Sequence, residues 1–107
     1  MSDDEITLFE DLRELAPVEE GKLGHHTLLN AGGARVVVLA FEAGHVLKEH
    51  RAPCPVLLQA IDGQLRVTAG DRSADLRPGG LLYLPASEPH AVEALAPSRL
   101  SLTLIGV

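Results

Sequence analysis

The chain has 107 residues, which fits one domain burying roughly 65% of the surface its unfolded form exposes. It is 46% hydrophobic, chiefly Leu, Val and Ala, and Phe9, Phe41 and Tyr83 are its only aromatics, too few to stack the bases of single-stranded nucleic acid. The net charge of -6 is uneven: residues 1–20 hold eight acids against Arg13 alone, and the rest carries +1, so the chain offers no electrostatic footprint for DNA or RNA.

Residues 1–22 read as an acidic, solvated N-terminal arm, with docking to a basic partner as the alternative use. Leu8, Leu12 and Leu15 fall at helical spacing, and Ser2 to Glu5 offer cap chemistry, so a short helix near 6–15 is expected, ended by Pro17. The competing expectation is an extended arm, because Ile6-Thr7-Leu8-Phe9 also suits an edge strand. The acidic start is no secretory signal, no apolar run reaches the length of a membrane span, and lone Cys54 forms no internal disulfide. A cytoplasmic protein is the expectation.

From residue 23 to 107 the chain reads as one β domain. Turn signals at Gly32-Gly33, Gly44, Pro53, Asp62-Gly63, Gly70-Asp71, Gly79-Gly80, Pro85 to Pro89 and Pro97 separate short β-like runs. The runs are 23–30, 35–42, 56–61, 64–69, 73–77, 81–84, 90–95 and 99–105. Leu65, Val67 and Ala69 alternate with Gln64, Arg66 and Thr68, and Leu100, Leu102 and Leu104 with Arg99, Ser101 and Thr103, as half-buried strands require. Val36 to Phe41 is apolar on both faces, which marks a central strand. Asp62-Gly63 is expected to close a hairpin. Many short strands with even turns give an all-β sandwich or barrel.

Two histidines stand in recognisable frames. His50 ends the run Gly44-His45-Val46-Leu47-Lys48-Glu49-His50, whose frame closes at Gly63; His90 ends the run from Gly79 through Tyr83, Pro85, Ser87 and Glu88. In order and spacing these frames resemble the two motifs of the cupin superfamily, and the surrounding strands extend the resemblance to about 23–105. The resemblance implies a double-sheet jelly-roll barrel, often a homodimer. Metal-bound cupins would use three His and one Glu, and only His50 and His90 carry over. Ala52 and Val56 stand at the second His and the Glu of the first motif; Ser87 and Ala94 replace the Gly and the Asn of the second.

Ala52 and Val56 have no lone pair to offer a cation, so two imidazoles and water would hold a divalent metal (Zn, Ni, Fe or Mn) weakly. Cys54, at the mouth of the same frame, is a conceivable soft rescue ligand; Glu49, His45 and Glu88 are nearby in sequence, with Glu49 expected to point away from His50 by alternation. Strand alternation places Lys48 and Ala52 on the side of His50, Val92 and Ala94 on the side of His90, and Leu58 and Ala60 with Val56. The expected pocket is therefore His50, Ala52, Val56, Leu58, His90, Val92 and Ala94, with Lys48 at its rim. It suits a small, largely apolar molecule with one polar or anionic group. The opposite expectation is that Val56, Leu58 and Ala60 are packed core with nothing between them.

Other residues read as structural. His25-His26 lies on a strand as surface or edge, Cys54 as a small buried thiol and not a nucleophile, Gly79-Gly80 as a turn and not a phosphate cradle, and Arg51 as a loop residue that could also meet an anion. Two functions compete: a small-molecule-binding module without metal, and a metal-dependent oxygenase or isomerase with an incomplete His set. A metal-free enzyme using His50 or His90 as general base lacks an orienting carboxylate on the inward face. A transcriptional ligand sensor would need a helix-turn-helix, and no such pattern is present in the sequence. Nucleic acid and membrane are not expected partners.

Overall fold

The structure, a computed structural model, describes residues 5–107. Nine strands form among them: β1 (Gly24–Ala31), β2 (Ala34–Phe41), β3 (Val46–His50), β4 (Val56–Asp62), β5 (Leu65–Ala69), β6 (Arg72–Leu76), β7 (Leu82–Leu84), β8 (His90–Ala94) and β9 (Ser98–Ile105). They make a five-stranded sheet in the order β1-β2-β9-β4-β7 and a four-stranded sheet in the order β3-β8-β5-β6. All strand pairings are antiparallel. This is the double-sheet jelly-roll barrel, with a short N-terminal helix α1 (Leu12–Leu15). Of the nine strands, β3 alone lacks a counterpart in the eight apolar runs, because only Val46 and Leu47 in it are apolar.

The core lies where the inner faces meet. Val37, Leu39 and Phe41 of β2, Leu58 and Ala60 of β4, and Leu100 of β9 pack against Leu65, Val67, Val92 and Ala94 of the smaller sheet. The two-residue alternation of each strand produces this face directly, since Val37, Leu39 and Phe41 pair across the ladder with Leu102, Leu100 and Ser98. Phe41, Leu58, Leu65 and Leu100 are fully buried.

The other face of β2, Val38 and Ala40, forms a second small cluster under Leu12, Ala16 and Val18 of the leader. Arg99 clamps this layer: its Nε donates to the Ala16 carbonyl at 2.6 Å and its guanidinium meets Asp62 at 2.5 Å. The expected helix over 6–15 shrinks to one turn. Asp11 adopts an extended backbone (φ -148, ψ 108) and caps the Arg13 amide at 3.0 Å, so the helix starts after it. Residues 6–9 form neither helix nor strand, with Ile6 and Leu8 exposed. Of the anticipated cap, Ser2 to Asp4 lie outside the described residues.

Asp62-Gly63 does not close a hairpin. β4 and β5 belong to different sheets, and the turn carries the chain from one to the other. Gly63 (φ 77) lies against Pro97 and Ser98 so tightly that a Cβ would overlap both, and Gln64 N–H donates to Ser98 Oγ at 3.0 Å. Asp62, which would have served the turn, is engaged by Arg99 instead. The true two-residue hairpins are Gly32-Gly33, both at positive φ, and Gly70-Asp71.

Candidate functional site

His90 follows from plain alternation. It stands two residues before the core Val92 on β8 and so faces the same inner side, where it is 4% exposed. His50 does not follow so simply. Leu47 pairs with Val92 and packs on the core, and His50 pairs with His90, so three steps along β3 match two along β8. The irregularity absorbs the extra residue and returns His50 to the inner side, opposite His90. Lys48, Glu49 and His50 are all exposed, but only His50 borders the cavity, so Lys48 does not join the rim that uninterrupted alternation assigned to it.

The two rings lie with centroids 4.3 Å apart and planes tilted by 56°. Each is oriented by the same local device. Nδ1 of His50 is 3.1 Å from the Lys48 carbonyl, and Nδ1 of His90 is 2.9 Å from the Glu88 carbonyl, in both cases two residues earlier. A carbonyl only accepts, so each Nδ1–H donates, and in the neutral ring Nε2 is left as the lone-pair nitrogen. The loop before His90 is tied down as well: Ser87 N–H donates to the Ala52 carbonyl at 2.7 Å with Ser87 at φ 65. That left-handed backbone is what a glycine accepts without cost, which explains why the cupin motif has Gly where this chain has Ser87.

The histidines border a cavity of about 420 Å³. Val37, Val56, Leu102 and Leu104 of the larger sheet form an aliphatic wall, with Ala52 and Pro53 from the β3–β4 loop across from it. The polar lining is His50, His90 and Arg51 on one side and His25, Thr27, Asn30 and Arg35 on the other. Of the residues expected at the pocket, His50, Ala52, Val56 and His90 come together here. Leu58, Val92 and Ala94 sit in the close-packed core, each at most 1% exposed, and do not line the cavity. Cys54 is buried and off the lining.

Sequence reasoning missed the β1–β2 side. Arg35 precedes Val37 by two residues and is carried inward by the same alternation, a signal present in the sequence but read there as the edge of an apolar run. His25 and Thr27 face Leu39 and Val37; a bulge between Thr27 and Leu29 then turns Asn30 inward opposite Arg35. That bulge has no sequence signature. A second hollow, of about 560 Å³, opens between the edge strands β6 and β7 and shares no residue with the first. It is larger, but its polar groups are Arg72, Ser73, Tyr83 and Glu88 with no convergent imidazole, so the smaller one is the candidate site.

A divalent metal of the kind held by other cupins does not fit the residues present. The Nε2 atoms of His50 and His90 are the one converging donor pair, hydrocarbon occupies both replaced ligand positions, and among the described residues no third His, Cys, Asp or Glu side chain, His25 of the lining included, gathers with them as a metal would need. Two guanidinium groups on the lining add repulsion for a cation. Among the described residues no helix is long and apolar enough to cross a membrane.

The fold has clear parallels. A cupin superfamily protein from Desulfitobacterium hafniense is 20% identical, with a TM-score of 0.81 over 88% of this chain and 86% of that one. An RmlC-like cupin from Desulfovibrio desulfuricans is 19% identical, with a TM-score of 0.84 over 95% and 98%. A conserved-barrel cupin from Leptotrichia buccalis is 28% identical over 86% of this chain but 45% of its own length, with a TM-score of 0.78. Comparison with curated proteins gave no match. The profile described as AraC-like ligand binding domain matches residues 35–107, a stretch containing both histidine frames and the three strands that carry the aliphatic wall, and the chain therefore belongs to that family, within the cupin superfamily.

Proposed function

We propose that this protein binds a small molecule in the His50–His90 cavity without a metal ion. The observation that carries the reading is the cavity's make-up: an aliphatic wall of Val37, Val56, Leu102 and Leu104 facing two imidazoles whose Nδ1 atoms are already committed to backbone carbonyls. The free Nε2 atoms are then fixed hydrogen-bonding groups at one end of an apolar container, the usual construction of a small-molecule site, and the volume of about 420 Å³ falls in its usual range. The ligand-binding description of the matching family supports the same reading.

A library of small organic compounds tested by thermal shift on chelator-treated protein checks it. A ligand that binds only the folded state adds about 2.7 kcal/mol at a hundred times its Kd, a shift that is easy to read. Stabilisation of wild type that disappears in Ala52→Leu, which fills the cavity, is the expected result. Stabilisation confined to Zn, Ni, Fe or Mn, or equal shifts in both proteins, would contradict the reading.

A further inference from the structure

We propose that the ligand is a small organic carboxylate whose anionic end is held by Arg35; the inference rests on the binding function above and names its chemical class. The charge of the lining points there. In a chain with 15 acids and 9 Lys and Arg, the cavity is lined by two arginines and three histidines and by no Asp or Glu. Arg35 is half-buried, sits between Asn30 of β1 and Leu104 of β9, and makes no ion pair or side-chain hydrogen bond among the described residues. The chain's other half-buried arginine, Arg99, is engaged by Asp62 and the Ala16 carbonyl. A half-buried guanidinium with no protein partner keeps its hydrogen-bonding fork free, and an anionic ligand supplies the partner.

Carboxylate fits better than phosphate. One planar guanidinium matches a carboxylate with two parallel hydrogen bonds. Phosphate sites add a fan of free backbone amides, whereas β2 has ladder partners on both sides and no amides to spare there. Arg51, exposed at the mouth, would draw the anion in without holding it. The body of the ligand lies on Val37, Val56 and Leu102, so the compound is a carboxylate with a short hydrocarbon part.

Hexanoate and hexanamide, equal in shape and different in charge, are titrated by calorimetry into chelator-treated wild type, Arg35→Met and Arg35→Lys, with the His50 and His90 imidazole signals followed by NMR. Wild type should favour hexanoate by at least about tenfold, the lower end for a hydrogen-bonded charge. Arg35→Met should erase that preference, and Arg35→Lys should keep part of it. If Arg35→Met does not fold, the wild-type ratio and Arg35→Lys carry the test. Equal affinities in wild type, or a preference unchanged in Arg35→Met, would overturn the carboxylate inference and leave the cavity function standing. Binding of neither compound would also overturn it, and the neutral compounds of the wider screen would then judge the cavity function on their own.

Discussion

The two ends of the barrel interior share strands β2, β4, β8 and β9, yet one end is packed and the other is hollow. At the packed end Phe41, Leu58, Leu65, Val92 and Leu100 interdigitate with no more than 1% exposure. At the hollow end the same strands present Val37, Val56, Leu102 and Leu104, and the facing positions carry Ala52 and two histidines in place of bulky aliphatics. Strand alternation alone would have continued the core. What interrupts it is a pair of irregularities, one after Leu47 on β3 and one after Thr27 on β1, each of which turns a polar side chain (His50, Asn30) inward. Bulges are expensive to the ladder, and both in this pair border the cavity.

The comparison predicts opposite responses to substitution. Phe41→Ala at the packed end should cost about 3–5 kcal/mol in denaturant unfolding, because it opens a cavity among side chains that cannot relax into it. A loss under about 1 kcal/mol would mean that this end is not closely packed. Gly63→Ala, at the sheet-to-sheet turn beneath, should cost about 2–3 kcal/mol, combining a left-handed backbone with overlap against Pro97 and Ser98. Ala52→Leu at the hollow end should change stability by less than about 1.5 kcal/mol, since the added methyls enter open space, while abolishing ligand binding. Ser87→Gly should gain about 0.5–1 kcal/mol by relieving the left-handed serine, offset in part by the entropy of glycine.

The smallest effect lies outside the barrel. Hydrogen bonds from Arg13 hold the Asp11 carboxyl down to about 2, below the ordinary carboxylate value. The carboxylate lies at the surface in a solvated pair with Arg13, so its contribution is slight. Its sign is fixed: a depressed folded-state pKa stabilises above the unfolded-state pKa and is lost as pH falls toward 2. An NMR titration of Asp11 with a midpoint near 4 would show that the cap does not form in solution.

Most of the fold was legible because it rests on alternation and turn chemistry. The alternating runs around Leu65 and Leu100 each place their own inner face without help from the rest of the chain, and the run at Val37, apolar on both faces, marks a strand covered on both sides. The errors within the barrel have one physical origin, which is that register is set between strands. Asp62-Gly63 carries a hairpin's residues, but the space left by Pro97 and Ser98 makes it a crossover. Lys48 alternates with His50 in sequence, but the β3 irregularity breaks that alternation. The same cause hid half the site, since the inward turn of Asn30 depends on a bulge that only the pairing of β1 with β2 reveals. The leader helix shortened for a local reason, the competition of the Asp11 cap.

Imidazole nitrogen NMR of His50 and His90 in metal-free protein, recorded as hexanoate is added, tests most directly whether a bare histidine pair serves a binding cavity. Both neutral rings should carry their proton on Nδ1, and both Nε2 resonances should move in a saturable way in wild type and stay still in Ala52→Leu. Rings protonated on Nε2, or resonances that respond to Zn, Ni, Fe or Mn and to no organic compound, would contradict the account.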